Sequence, residues 1–202
     1  TVVFRVGEVL SSNVLRGGLS IEQTREELSR AMSQTNTMIG RHLGVSDENT
    51  ILLYISPEEF NATVDALQKA GKSQKLLRII AAGNIILGEP ALVHVEMYDN
   101  QLIYHRGDVV FEETLTGDDL SGNTELQVMR FLHNVNQQAQ VKGLLPDPLT
   151  GNVGALTASE MFDTINRIKS HTGTSVVLKA VAETDTYTAG PLQIDIRVEA
   201  GK

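Results

Sequence analysis

The sequence predicts an α+β fold built from two pseudo-symmetric β-α-β-α-β-β repeats, whose mixed sheets pack closely together. Three observations predict it. A helix-start signal at residues 56–59 recurs at residues 157–160, and an amphipathic helix follows each of them. Each helix is then followed by a β-rich run, a break containing proline and an alternating strand. We expect the first repeat to span residues 1–100 and the second to span residues 101–202.

The repeated helix start has the form of a capping box. Ser56 and Glu59 provide it in the first repeat, and Thr157 and Glu160 provide it in the second. In this motif the hydroxyl accepts from the third backbone N–H, and the acidic side chain reaches back to the first. Apolar residues then recur at helical spacing, so each helix should cover an equivalent part of its sheet. These stripes are Phe60, Val64 and Leu67 in the first repeat, and Met161, Ile165 and Ile168 in the second.

The β-rich runs cover residues 75–86 and 176–187, and the alternating strands cover residues 91–97 and 192–198. Side chains alternate between the two faces of a strand, so one apolar set must face the core. The inward-facing residues are predicted to be Val93 and Val95 in the first repeat, and Ile194 and Ile196 in the second.

The start of each repeat matches less closely. A first strand, a Gly/Ser-rich loop and a helix are expected, with the helices at roughly residues 20–43 and 123–142. A short strand over residues 50–55 precedes the second helix of the first repeat, and residues 153–156 form a poorer counterpart.

Asp99 and Asn100 are predicted to form a two-residue hairpin turn between the repeats. That register would place His94 opposite His105, with Glu96 on the same face. Two imidazoles and a carboxylate could form half of a metal site. A solvated hairpin face is the favoured interpretation, because the second repeat has Asp195 and Arg197 at the matching places.

Acidic residues cluster at Asp108, Glu112 and Glu113 and again at Asp118 and Asp119. A two-metal nuclease needs carboxylates that converge from separate strands, whereas these are adjacent pairs in a strand end and a loop. A solubilising role is therefore favoured. No nucleophile elbow, P-loop, dinucleotide fingerprint or zinc-protease motif occurs. We predict no catalytic, cofactor-binding or metal-binding residue, and no cofactor.

Charge and composition restrict the partners. The net charge is −8, divided as −3 for residues 1–100 and −5 for residues 101–202, which argues against broad nucleic-acid binding. The densest basic patch (Lys69, Lys72, Lys75 and Arg78) is interpreted as cations near a helix end. The absence of cysteine excludes disulfides and thiolate sites. No apolar run is long enough to insert this segment into a membrane. The loop over residues 144–154 could be a binding loop, although a tolerated insertion is favoured.

Three segments, FRVGEVL, LLRIIAAGNIILGEPALVHVEMYDNQLIYHRGDVV and DTYTAGPLQIDIRVE, resemble the C-terminal region of the bacterial family that carries the domain of unknown function numbered 3084. The resemblance implies a parent protein with an N-terminal membrane segment, a long coiled coil and this module at its C-terminus. The start at Thr1, inside a strand-like run and without methionine, is also expected of a fragment. The family has no assigned activity, so no residue role carries over.

We therefore expect a non-enzymatic interaction or assembly module that binds a protein partner or itself. It would be cytoplasmic, and could be tethered to the membrane through the parent's N-terminal segment. Two alternatives stay open. One is a metal-assisted hydrolase or nuclease that uses carboxylates and histidines, and the other is a small-ligand sensor with its pocket between the repeats.

Overall fold

Local helix signals and strand alternation set the framework of the chain. A computed structural model describes residues 2–47, 49–120, 122–148, 150–154, 156–171 and 173–202, with the side chains of Val2 and Asp118 left out. The chain divides into two units, Thr1–Asn100 and Gln101–Lys202. Both combine helices with antiparallel sheets, so the fold is α+β.

The first unit carries its helices beside a four-stranded sheet with the order β2-β4-β6-β3, in which only β3 runs parallel to its neighbour. Strands β1 and β5 form a separate antiparallel pair. The elements are β1 (Val2–Phe4), β2 (Val9–Arg16), α1 (Ile21–Leu43), β3 (Leu53–Tyr54), α2 (Pro57–Lys69), β4 (Gln74–Ala81), β5 (Ile85–Ile86) and β6 (Ala91–Asp99).

The second unit has a three-stranded sheet with the order β11-β9-β8, and β7 pairs with β10. All of these pairings are antiparallel. The elements are β7 (Leu102–Tyr104), β8 (Val109–Leu115), α3 (Gly117–Leu120), α4 (Thr124–Lys142), α5 (Ala158–Lys169), β9 (Val176–Ala182), β10 (Thr186–Tyr187) and β11 (Ile194–Ala200).

The predicted helices are confirmed because their end signals are local. The Ser56 hydroxyl accepts from the Glu59 N–H at the start of α2, and the Thr157 and Glu160 side chains form a complete capping box at α5. Glu59 does not close the first box, which corrects that prediction. Its Oε1 instead accepts from the Val95 N–H at 2.7 Å.

The predicted core faces are also confirmed. Val93 is fully buried and Val95 is half-buried, while Ile194 and Ile196 are buried in the second unit. The helical stripes pack against these faces, with Phe60 and Met161 both half-buried against their cores. The largest buried side chain is Phe131 of α4, which lies in the core of the second unit.

Three predicted features are wrong, and each depends on distant contacts. The expected Gly/Ser-rich loop after the first strand is largely strand β2, because Ser11 to Arg16 pair with β4. The hairpin at Asp99 and Asn100 is not formed, because β6 pairs with β4 and β3 whereas β7 pairs with β10. The short strand predicted over residues 50–55 is restricted to β3.

Residues 153, 154 and 156 are not in a strand, and Ala155 lies outside the described residues. None of the helices that the structure describes is long and apolar enough to cross a membrane.

Candidate functional site in the second unit

The residues of the hypothetical metal half-site each have a local role. His94 lies opposite Ile80 in the sheet rather than opposite His105, which corrects the predicted register. Its Nε2 is 3.8 Å from Glu96, whose other oxygen accepts from the Tyr98 hydroxyl and so raises the Tyr98 pKa. The His105 N–H donates to a carboxylate in the turn after β7. Within the described ranges no group of three His, Cys, Asp or Glu side chains could hold a metal ion.

The acidic clusters are used in turns and cross-strand pairs. Asp108 accepts from the His105 N–H at 2.8 Å, and Asp119 accepts from the Thr116 N–H at 3.0 Å. Glu112 lies opposite Lys179 on the neighbouring strand, and Glu113 approaches the Arg130 guanidinium at 3.8 Å. The side chain of Asp118 is not among those described. These contacts account locally for each carboxylate that the structure describes.

The basic patch is partly neutralised by its own neighbours. Lys69 binds Asp65 one turn away at 2.8 Å, and this hydrogen bond raises the Lys69 pKa. Lys75 is paired with Asp99 across the sheet. Both contacts fit cations that stabilise a helix end and a strand edge.

The loop over residues 144–154 is anchored to the second unit. Leu144 and Val153 are buried in its core, and the Leu145 N–H donates to the Thr188 carbonyl at 2.9 Å. Asp147 Oδ1 accepts from the Thr150 N–H at 3.0 Å and tightens the turn. Leu149 lies outside the described residues. The end of this loop forms one wall of the cavity described next.

An apolar groove of about 370 Å³ lies between α4, α5, the segment 152–156 and the start of β11. We call it the α4–α5 groove. Its volume falls in the range that proteins use for small ligands or for the side chains of a bound segment. His133, Asn136 and Asn152 provide its polar wall. Its apolar wall is formed by Met129, Leu132, Leu156, Met161, Leu192 and Ile194.

Asn136 positions the wall that faces α4. Its Oδ1 accepts from the Val153 N–H at 2.9 Å, and its Nδ2 donates to the Leu132 carbonyl of its own helix at 2.9 Å. Gly154 follows, and a Cβ atom there would lie 2.2 Å from the Leu192 carbonyl oxygen. Only glycine allows the segment to approach β11 so closely, and the absent side chain leaves the groove unfilled.

Helices α4 and α5 expose large apolar side chains beside this groove. Leu126, Met129 and Phe162 are 61%, 54% and 64% exposed, and Met129 itself lines the groove. Scattered surface apolar residues are common, but these lie on neighbouring turns of packed helices. Glu125 and Asp163 are exposed beside them in the sequence, so the surroundings of the apolar residues are acidic.

Tyr104 is a buried polar group without a hydrogen-bond partner. Its side chain is 3% exposed, and its hydroxyl has no acceptor or donor within the described part of the chain. Burial, followed by the nearby Asp108 charge, raises the Tyr104 pKa above its ordinary value of 10.0. The residue belongs to the core cluster of the second unit, where a phenylalanine would fill the same space.

The groove residues were missed at the level of sequence, although two signals were present. Asparagine occurs at positions 36 and 136, and both side chains anchor the segment that precedes the next helix. Leu126 and Met129 also lie outside the buried stripe of α4, where polar residues are expected. Neither signal shows which residues from distant segments meet at one cavity.

The architecture is thus that of two α+β units, of which the second carries an apolar groove. Residues 104–201 match the family model described as "DUF3084-associated C-terminal helical hairpin", which confirms the resemblance to that family. The chain is also similar to an uncharacterized protein of Nostoc sp. (strain PCC 7120 / SAG 25.82 / UTEX 2576), with 26% identity over 97% of this chain. It spans 38% of that relative's length. No solved structure matches the chain.

Proposed function

We propose that this chain is a non-enzymatic protein-interaction module made of two copies of one ancestral unit, and that the second copy carries the docking surface. The partner that fits this surface is a protein segment with apolar side chains flanked by basic residues. The observation that carries the proposal is the α4–α5 groove and its exposed apolar rim.

The duplication is supported by the order of the elements and their pairing. In both units a central strand lies between the first long strand and the last strand, as β2-β4-β6 and as β8-β9-β11. The bulges occur at corresponding places, between Val9 and Ser11 and between Val109 and Phe111. A short strand at the start of each unit pairs with the short strand that precedes the last one.

Backbone hydrogen bonds support the same correspondence. The Gly7 N–H donates to the Ala81 carbonyl at 2.8 Å, and the Gly107 N–H donates to the Ala182 carbonyl at 2.8 Å. Both glycines have a positive φ, 86° and 92°, which permits the tight turn before the long strand. Chance use of common α/β patterns does not readily reproduce a turn, its φ and its distant acceptor together.

The correspondence gives each residue of the groove a reference in the first unit. The exposed Leu126 and Met129 of α4 correspond to Glu26 and Ser29 of α1, which are also exposed. Phe162 of α5 corresponds to Asn61 of α2, whose Oδ1 accepts from the Arg25 guanidinium at 3.0 Å and so joins the two helices. The first unit folds with polar residues at these positions. The apolar residues of the second unit are therefore better explained by binding than by folding.

The cavity has a similar origin. Leu53, which is 6% exposed in β3, corresponds to Gly154 in the second unit. The Leu53 side chain belongs to the core of the first unit, whereas Gly154 leaves space beside Leu192 and Ile194. A bound segment could place an apolar side chain in this space. Each fully buried side chain of that kind contributes about 1.5–3 kcal/mol.

The test is a fluorescence-anisotropy titration with synthetic peptides. The first peptide is amphipathic, with Leu and Phe on one face and Lys on the other; the second has Glu in place of Lys, and the third has a scrambled order. We expect the first peptide to bind more tightly than the others, because residues 101–202 have a net charge of −5. The Met129→Ser and Phe162→Asn changes reproduce the polar residues of the first unit and should each weaken binding by about 10-fold or more.

The matched control is the first unit. Ser29→Ala removes the polar group at the position that corresponds to Met129 and should leave the affinity unchanged. Equal affinities for the native protein and both groove variants would refute the docking site. Binding of a small apolar probe such as naphthalene sulfonate, without any peptide binding, would instead indicate a small-ligand site in the same groove.

A longer parent protein is part of the proposal. The chain covers 38% of its Nostoc relative, so such a parent could carry the membrane segment and coiled coil implied by the family resemblance. In that arrangement the groove would recruit a partner to the parent.

A further inference from the structure

The edge of β11 has backbone groups that point away from its sheet. The Glu183 N–H donates to the Gln193 carbonyl, and the Gly201 N–H donates to the Ser175 carbonyl, both at 2.9 Å and both on the β9 side. The Leu192 N–H donates to the Val153 carbonyl on the other side. Because these directions alternate along an antiparallel strand, the N–H and C=O groups of Ile194, Ile196 and Val198 point outward.

The corresponding edge in the first unit is occupied. Strand β3 runs beside the start of β6, and Glu59 accepts from the outward-pointing Val95 N–H at 2.7 Å. In the second unit Glu160 is turned to its own capping box, where it accepts from the Thr157 N–H at 2.7 Å. Among the residues that the structure describes, none accepts from the Ile196 N–H. An open edge with unpaired backbone groups is a template for strand addition.

The sequence of β11 is complementary to itself when read in the antiparallel direction. If Ile196 of one chain lies opposite Ile196 of another, Ile194 lies opposite Val198, and Asp195 lies opposite Arg197. The side chains of Asp195 and Arg197 are 55% and 57% exposed, so both are available for such a contact. The outward backbone groups form the hydrogen-bonded pairs in this register, and the charged residues form the closer, non-hydrogen-bonded pairs.

We propose that β11 is a self-association edge, at which two copies of this chain join antiparallel around a two-fold axis through Ile196. The two three-stranded sheets then form one continuous six-stranded sheet. The edge contributes backbone hydrogen bonds and two Asp195–Arg197 pairs, because a two-fold interface uses every contact twice. A second copy is the occupant that fits, since one strand supplies both the unpaired backbone and the complementary charges. This inference does not rest on binding of a peptide in the α4–α5 groove.

Charge exchange provides the sharpest test. Asp195→Arg places two arginines opposite each other, and Arg197→Asp does the same with two aspartates, so each change should weaken the dimer by about 10-fold. The double variant Asp195→Arg/Arg197→Asp restores opposite charges and should return the dissociation constant to within about threefold of the native value. The measurement is sedimentation equilibrium over a concentration series at low salt. Circular dichroism of each variant checks that it is folded.

A backbone variant tests the edge itself. Ile196→Pro removes the outward N–H, and proline is tolerated on a strand edge whose N–H faces solvent. It should yield a monomer, whereas Glu59→Gln on the first unit should leave the dimer intact. Hydrogen exchange adds a site-specific readout, because the Ile196 amide should become protected as concentration rises and the Val95 amide should not change.

Three outcomes would overturn the inference. They are a native protein that stays monomeric at millimolar concentration, a dimer that survives Ile196→Pro, and a double charge exchange that fails to restore association lost in the folded single variants. Each is independent of the peptide titration, since Met129→Ser and Phe162→Asn leave β11 unchanged. Failure of one proposal can therefore be told from failure of the other.

Discussion

Replacing Asn36 by alanine tests how the segment before α2 is held to α1. The Asn36 side chain donates to the Thr50 carbonyl at 2.8 Å and accepts from the Leu52 and Leu53 N–H groups at 2.7 and 3.1 Å. Alanine would leave all three backbone groups without this partner in a partly buried place. At about 1 kcal/mol for each hydrogen bond, we expect a loss of about 3 kcal/mol in the free energy of unfolding.

Asn136 provides the matched comparison, because it occupies the corresponding place on α4. It accepts from the Val153 N–H at 2.9 Å, and its remaining hydrogen bond goes to the Leu132 carbonyl within the same helix. Asn136→Ala therefore releases a single backbone N–H of the following segment, and we expect a loss of about 1 kcal/mol. The two variants should differ by about 2 kcal/mol although the substitution is identical.

Urea denaturation followed by circular dichroism measures both losses, since a change in midpoint without a change in slope reports stability. Because the two units could unfold separately, hydrogen exchange at the Leu52, Leu53 and Val153 amides assigns each loss to its unit. Equal destabilisation by the two variants, or a loss below about 0.5 kcal/mol for Asn36→Ala, would contradict the assignment of these hydrogen bonds.

Two further variants test single buried groups. Tyr104→Phe removes a buried hydroxyl that has no partner in the described structure, and should raise the free energy of unfolding by about 1 kcal/mol in thermal melts. The raised Tyr104 pKa means that the folded state holds its proton more tightly, so native stability should fall as pH rises above 10.0, and this fall should be smaller in the variant. Glu59→Ala exposes the Val95 N–H and should lower stability by about 1–2 kcal/mol, with faster exchange of that amide; unchanged exchange would contradict the edge-capping role.

Helix positions could be predicted from the sequence because their signals are local. Ser56 and Thr157 both cap their helices through the backbone N–H three residues ahead, an arrangement that needs no distant contact. The apolar alternation of the last strands likewise identified Val93 and Ile196 as core residues, since period-two patterns depend on a buried face. These elements follow from residues a few positions apart.

Strand pairing could not be predicted in the same way. Asp99 and Asn100 have the composition of a tight turn, but β6 is already paired on both sides, with β4 and with β3. The position of His94 opposite Ile80 is fixed by that competition among strands rather than by the turn. The capping role of Glu59 failed for a related reason. Its carboxylate had a choice between a local N–H and the distant Val95 N–H, and a sequence pattern cannot weigh the two.

Glu59 and Glu160 together show how one difference between similar units can redirect a surface. Both residues occupy the third position of a helix that starts at a hydroxyl cap. Glu59 reaches the last strand of its unit and covers the Val95 N–H, whereas Glu160 closes its own cap. The carboxylate can satisfy one of these sites at a time, since each bond is 2.7 Å long and the donors lie on different elements. A shift of Glu160 toward β11 would therefore cover the Ile196 N–H and oppose self-association. The capping box of α5 thus does more than stabilise a helix end, because it keeps the edge of β11 open.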